Sequence, residues 1–110
     1  MSEFNELDTQ TLESWMDADK DFVLIDVLSA DSYDAHHIPT AVSVPVGDEN
    51  FLDQVAEVAD KDDTVVVYCA SSDCQASPKA AKNLVNDGYE NVYDYDRGLA
   101  GWKDADNEMA

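Results

Sequence analysis

Apolar residues along this 110-residue chain fall into two kinds of pattern, continuous runs and helical stripes. Thr64-Val65-Val66-Val67-Tyr68 is the most strongly β-like run, rich in branched side chains, and predicts a central strand. Phe22-Val23-Leu24-Ile25-Asp26-Val27 is continuously apolar but for its aspartate, as expected of a strand covered on both faces. Ala41 to Val44, closed by Pro45, and Asn91 to Tyr95 predict two further strands. Between these runs the spacing turns helical. Leu12, Trp15 and Met16 mark a helix over Thr11 to Ala18, with Asp8 or Thr9 as its cap. Asp31 to His36 predicts a short helix that His37-Ile38-Pro39 ends, because the residue before proline is pushed out of helical geometry. Phe51, Leu52, Val55, Val58 and Ala59 form an inward stripe. Ser77 to Asp87 carries Ala80, Ala81, Leu84 and Val85 inward and stops at Gly88; Gly98 to Lys103 or beyond predicts a last helical turn. Strands alternating with helices predict an α/β domain with a mostly parallel central sheet flanked by helices on both faces.

Length predicts one domain over residues 1–110, able to build a core without disulfides. The net charge of -19 changes the picture of partners. It argues against nucleic acid and against anionic membranes, both of which reward basic surfaces. A heavily solvated surface is the simplest account; a salt-loving host or a basic partner are the alternatives. No segment has the layout of a signal peptide or reaches membrane-spanning length, so a cytoplasmic protein, expected as a monomer, is the reading. Two cysteines in that setting are expected to be reduced and chemical. Asp17, Asp19 and Asp21 lack the glycine and distal glutamate of a calcium loop, and adjacent His36 and His37 make a poor metal pair, so no metal is expected.

Cys69 carries the candidate chemistry. It follows the central strand directly and precedes a small polar loop, Ala70, Ser71, Ser72, Asp73, Cys74 and Gln75. Ser77-Pro78 then reads as a helix start, serine at the N-cap and proline at the first helical position. Loop amides and the positive helix end would favour thiolate over thiol, so a reactive cysteine is expected. Asp26 and Cys69 both sit at carboxyl ends of strands, where open α/β sheets gather ligands.

Four stretches in order resemble the single-domain rhodanese family of sulfurtransferases. Leu24-Ile25-Asp26-Val27 is similar to its L-I-D-V-R segment, His37-Ile38-Pro39-Thr40-Ala41 to H-I-P-G-A, and Val66-Val67-Tyr68-Cys69 to V-V-Y-C. Gly88-Tyr89 through Gly98-Leu99-Ala100-Gly101-Trp102 is similar to the family's ending. The resemblance runs from about Thr9 to Trp102 and implies the rhodanese-like fold. It implies that Cys69 is the nucleophile, taking sulfane sulfur as a persulfide from thiosulfate or a protein donor and passing it to a thiophilic acceptor, with no cofactor. Amides of Ala70 to Gln75 would cradle the anionic sulfur. Asp26 would support the active loop by hydrogen bonds, His37 would be structural, and Cys74 is either a resolving thiol or a small residue that packs the loop.

Departures from the family bear on chemistry. Leu28 stands where an arginine is frequent, and the loop has no basic residue. Asp73 would raise the Cys69 pKa and repel thiosulfate, with Lys79 and Lys82 as partial compensation. A phosphatase or arsenate reductase on this fold needs C-x5-R, and Gln75 occupies the arginine position without its charge. A non-catalytic binding module of the same fold is the remaining alternative. Trp15, Tyr89 and Trp102 are expected in the core, and Asp60 to Asp63 in a solvated turn.

Overall fold

The computed structural model describes residues 4–18, 20–71 and 74–109. The chain runs β1 (Asn5–Leu7), α1 (Thr9–Asp17), β2 (Val23–Asp26), α2 (Ala30–Ala35), β3 (Val42–Ser43), α3 (Phe51–Val58), β4 (Thr64–Tyr68), α4 (Ala76–Asn86), β5 (Asn91–Tyr95) and α5 (Gly98–Asp104). The five strands form one sheet in the order β1-β5-β4-β2-β3, every neighbouring pair parallel. The predicted α/β class with helices on both faces holds. β4 and β5 fall where their apolar runs place them.

Side chains along a strand alternate between the two faces, so the register sorts the core. One face carries Ile25, Val65 and Val67 against Phe51 and Val55 of α3 and Ala80, Ala81 and Leu84 of α4. The other carries Leu24, Val66, Tyr68 and Tyr95 against Leu12 of α1 and Trp102 of α5. Cys69, one residue beyond β4, belongs to the α3/α4 face.

Caps explain the start of α1 and the end of α4. Asp8 caps α1, its carboxylate accepting from the Thr11 amide at 2.8 Å. α4 ends in a Schellman motif: the Tyr89 amide donates to Leu84 O and the Gly88 amide to Val85 O, with Gly88 at φ 102°. His37 Nδ1 lies 2.9 Å from Tyr33 O and its ring stacks on Tyr33, the local structural role expected of it; His36 is exposed. Asp60, Lys61 and Asp62 are exposed, and Asp63 Oδ2 accepts from the Asp60 amide to close the turn.

Three expectations need correction. Ser77 is not the N-cap of α4: the helix begins at Ala76, with Gln75 before it and no side-chain cap. Ser77 instead sits in the first turn facing the sheet, fully buried, and Pro78 is tolerated beside it because first-turn amides need no helical acceptor. Val58 does not complete the inward stripe of α3; it is 40 % exposed. Trp15 is only half-buried, edge-on to Phe22 and Tyr93, whereas Tyr89 and Trp102 are buried as expected. Strand β1 carries no signal among the predicted elements. Among the described residues no helix is long and apolar enough to cross a membrane.

Candidate active site at the end of the central strand

The position of Cys69 is set by main-chain bonds on both sides. β4 holds the preceding residues between β2 and β5. The first turn of α5 then grips the chain as it leaves the sheet: the Leu99 amide donates to Cys69 O at 2.9 Å and the Ala100 amide to Ala70 O at 2.8 Å. These are amides that a helix start leaves without internal partners. Gly98 makes the approach possible. It adopts φ 59°, and a Cβ there would stand 2.2 Å from Cys69 O.

The Cys69 side chain is fully buried and is a free thiol, as is half-buried Cys74. Its Sγ lies 3.4 Å from Ser77 Oγ, 3.6 Å from Cys74 O and 3.8 Å from Ser71 O. Carbonyl neighbours can only accept a proton, so they suit S–H. Burial pushes the Cys69 thiol up, and its hydrogen bond with Cys74 adds to that; the Ser77 hydroxyl and amide pull the other way without prevailing. This corrects the expectation of a favoured Cys69 thiolate. Cys74 behaves in the opposite sense. Burial pushes it up as well, but hydrogen bonds from Cys69, the Ala76 amide and the Ala70 amide outweigh burial and bring its thiol below the usual range. The Ala70 and Ala76 amides thus favour a Cys74 anion, and the Ser77 amide and hydroxyl a Cys69 anion. The Cys74 amide donates to Ser71 O at 3.0 Å. Ala70 and Gln75 are exposed; Ser72 and Asp73, with the charge effect assigned to Asp73, lie outside the described residues, as does Asp19.

Asp26 supports a different part of the site from the one expected. Its Oδ1 accepts from the Leu28 amide at 2.9 Å and its Oδ2 from the Tyr68 hydroxyl at 3.1 Å. Tyr68 in turn accepts from the Ile38 amide at 3.0 Å. Asp26 thus ties β2, β4 and the His37-Ile38-Pro39 turn together, and the bonds described for it do not reach the loop. The register explains why: Asp26 pairs with Tyr68, so it shares Tyr68's face and lies across the sheet from Cys69. Burial pushes the Asp26 carboxyl up, partly offset by the Leu28 and Tyr68 donors.

The carboxyl on the Cys69 side is Asp94. It pairs with Val67, is 2 % exposed, and is hydrogen-bonded by the Ser77 hydroxyl. Burial pushes it up to about 6. Neither Asp94 nor the inward role of Ser77 figures among the predicted site residues. Strand parity was the available signal, since Val92 and Asp94 share one face of β5.

The site as a whole is a buried thiol at the carboxyl end of a parallel strand, beside a more acidic, more exposed thiol and a helix start. That arrangement suits nucleophilic sulfur chemistry. The Rhodanese-like domain family matches residues 8–105. The chain is 34 % identical over 93 residues to a thiosulfate sulfurtransferase GlpE of Coxiella burnetii, covering 84 % of this chain and 82 % of that protein. It is 36 % identical over 81 residues to the protein of the same name from Pseudomonas savastanoi pv. phaseolicola, covering 74 % and 72 %. The crystal structure of the BH2092 protein from Bacillus halodurans superposes with a TM-score of 0.87 at 25 % identity, over 96 % of this chain and 76 % of that one. Sheet order, the thiol at the end of β4 and these matches agree, and the chain belongs to the rhodanese-like domain family.

Proposed function

We propose that the protein is a sulfurtransferase that carries sulfane sulfur as a persulfide on Cys69. The observation that carries this reading is the fixed position of Cys69 at the end of β4, with Ser77 of α4 against its sulfur, in a chain whose relatives include thiosulfate sulfurtransferases. In the reaction the Cys69 thiolate attacks the outer sulfur of thiosulfate. The S–S bond of the donor breaks, sulfite leaves with its electron pair, and Cys69 holds the outer sulfur as a perthiolate. A thiophilic acceptor, cyanide or a thiolate, attacks that sulfur and returns Cys69 to its thiolate. A protein persulfide serves equally as donor, leaving as a thiolate instead of sulfite.

The net charge of -19 slows the approach of a small dianion, which favours a protein donor. Cys74, half-exposed and the more acidic thiol, suits a resolving role: its thiolate attacks the inner sulfur of the Cys69 persulfide, forming a Cys69–Cys74 disulfide and releasing hydrosulfide, or attacks the outer sulfur and takes it, leaving Cys69 as thiolate. The test is intact mass after reduced protein meets thiosulfate, with Cys69→Ser and Cys74→Ser in parallel. Gain of one sulfur atom, lost in Cys69→Ser and kept in Cys74→Ser, is the expected result. Loss only in Cys74→Ser would move the nucleophile to Cys74. No gain with thiosulfate or with a persulfidated protein donor would overturn the reading in favour of a binding module.

A further inference from the structure

Asp94 is a buried carboxyl that the sulfur-transfer steps leave unused. It sits on β5 with its side chain on the face that carries Cys69, and its Oδ1 has no hydrogen-bond partner among the described residues. Its described partner is the hydroxyl of Ser77, itself fully buried in the first turn of α4. That hydroxyl is 3.4 Å from Cys69 Sγ. Ser77 therefore links Cys69 and Asp94 where β4, β5 and α4 meet.

A serine hydroxyl has one proton to give. An ionised Asp94 is the stronger acceptor and takes it, since a bond to a charged oxygen is roughly twice as strong as a neutral one. Ser77 then turns lone pairs toward Cys69, which can satisfy them only as S–H. A Cys69 thiolate needs the same proton. We propose that Asp94 is a positioning residue for Cys69: when ionised it claims the Ser77 proton and holds the thiol protonated, and when neutral it frees Ser77 to donate to the thiolate.

The surroundings sharpen this competition. Asp96, just past the end of β5, and Glu6 on β1 face Asp94 with like charge, and Cys74 in the loop feels the Asp94 charge. Lys79 and Lys82 of α4 are exposed. With a carboxyl held up to about 6, Asp94 is ionised at neutral pH and close to taking a proton. An anion placed on Cys69, thiolate or perthiolate, raises the tendency of Asp94 to take one, so charge on the sulfur and protonation of Asp94 are linked. This rests on Cys69 as the reactive sulfur and on nothing about the donor.

The test reads the Cys69 thiolate by its ultraviolet absorbance against pH in a Cys74→Ser background, as a difference from the protein that also lacks Cys69. Asp94→Asn removes the charge and offers Ser77 an amide donor. Its Cys69 midpoint should fall by about one pH unit, the low end of the effect of a near charge. A midpoint unmoved or raised overturns the proposal. In a Ser77→Ala background the same substitution should move the midpoint less than half as far; an equal shift overturns the hydroxyl route. Should the variants fail to fold, the Asp94 carboxyl carbon in the unsubstituted protein, followed by NMR, should show a second inflection where Cys69 titrates, and a single inflection overturns it. None of these readings needs sulfur transfer, so failure of the sulfurtransferase reading remains distinguishable.

Discussion

Replacing Asp94 by asparagine should change how stability depends on pH, by an amount the structure allows to be worked out. Asp94 is pushed from 3.8 up to about 6 by burial. In the unfolded chain it returns to its ordinary value. The folded state therefore binds this proton more tightly, so protonation of Asp94 stabilises the fold. That stabilisation is fully present below about pH 4 and is lost as pH rises through about 6. At roughly 1.4 kcal/mol per pH unit, the whole difference is about 3 kcal/mol. Acid conditions near the isoelectric point, about 4.1, invite precipitation, so the useful window lies above it. Between about pH 7.5 and about pH 5 the linkage relation gives roughly 1.4 kcal/mol. The isosteric asparagine has no such proton, and the carboxyls that do not face Asp94 contribute equally to both proteins. Urea unfolding of both at the two pH values isolates the difference. The wild type should gain about 1.4 kcal/mol on the variant as pH falls from about 7.5 to about 5. At the upper pH the variant should be the more stable by about 1–2 kcal/mol, because its amide still leaves one buried polar atom without a partner. A stability difference that does not change with pH would refute a buried, destabilised Asp94 carboxylate.

Other substitutions test other parts of the frame. Gly98→Ala forces a side chain onto Cys69 O at a left-handed φ; thermal melting should show a loss of about 2 kcal/mol or more, and the persulfide yield should fall with it. Tyr68→Phe strips the Ile38 amide and Asp26 Oδ2 of a buried partner, and urea unfolding should show a loss of about 2–4 kcal/mol. Brief iodoacetamide treatment near neutral pH, followed by peptide mass analysis, should label Cys74 well before Cys69, since Cys74 is both more exposed and more acidic. Equal labelling would contradict the assignment of the Ala70 and Ala76 amides to Cys74.

Legibility followed how strongly each segment's own residues decide its state. The run Val65-Val66-Val67 makes β4 from either direction, because branched side chains suit a pleated, covered surface. Asp8 announces α1 because its cap bond is local. β1 carries no such mark: Asn5-Glu6-Leu7 is held by main-chain pairing with β5, more than eighty residues away in the chain. Ser77-Pro78 suggests a helix start, yet the start moves to Ala76 because the serine is drawn to the buried side against Cys69. The site was half legible on the same terms. Cys69 stands out through its place after β4. The choice between Asp26 and Asp94 as its companion depends on which strands are neighbours and in what register; parity along β5 puts Asp94 on the face of Val92 but does not say that this face meets Cys69.

The grip of α5 on Cys69 O and Ala70 O uses backbone atoms alone. On the other side of the loop, α4 is anchored by Ala80, Ala81 and Leu84, which lie beyond the loop altogether. The segment between is thus fastened at both ends by parts that do not depend on its own side chains. In engineering terms it is a cartridge seated in a fixed breech. Neither fastening calls on a loop side chain, so a substitution in the loop reaches the sulfur through the side chain it changes and not through the seat.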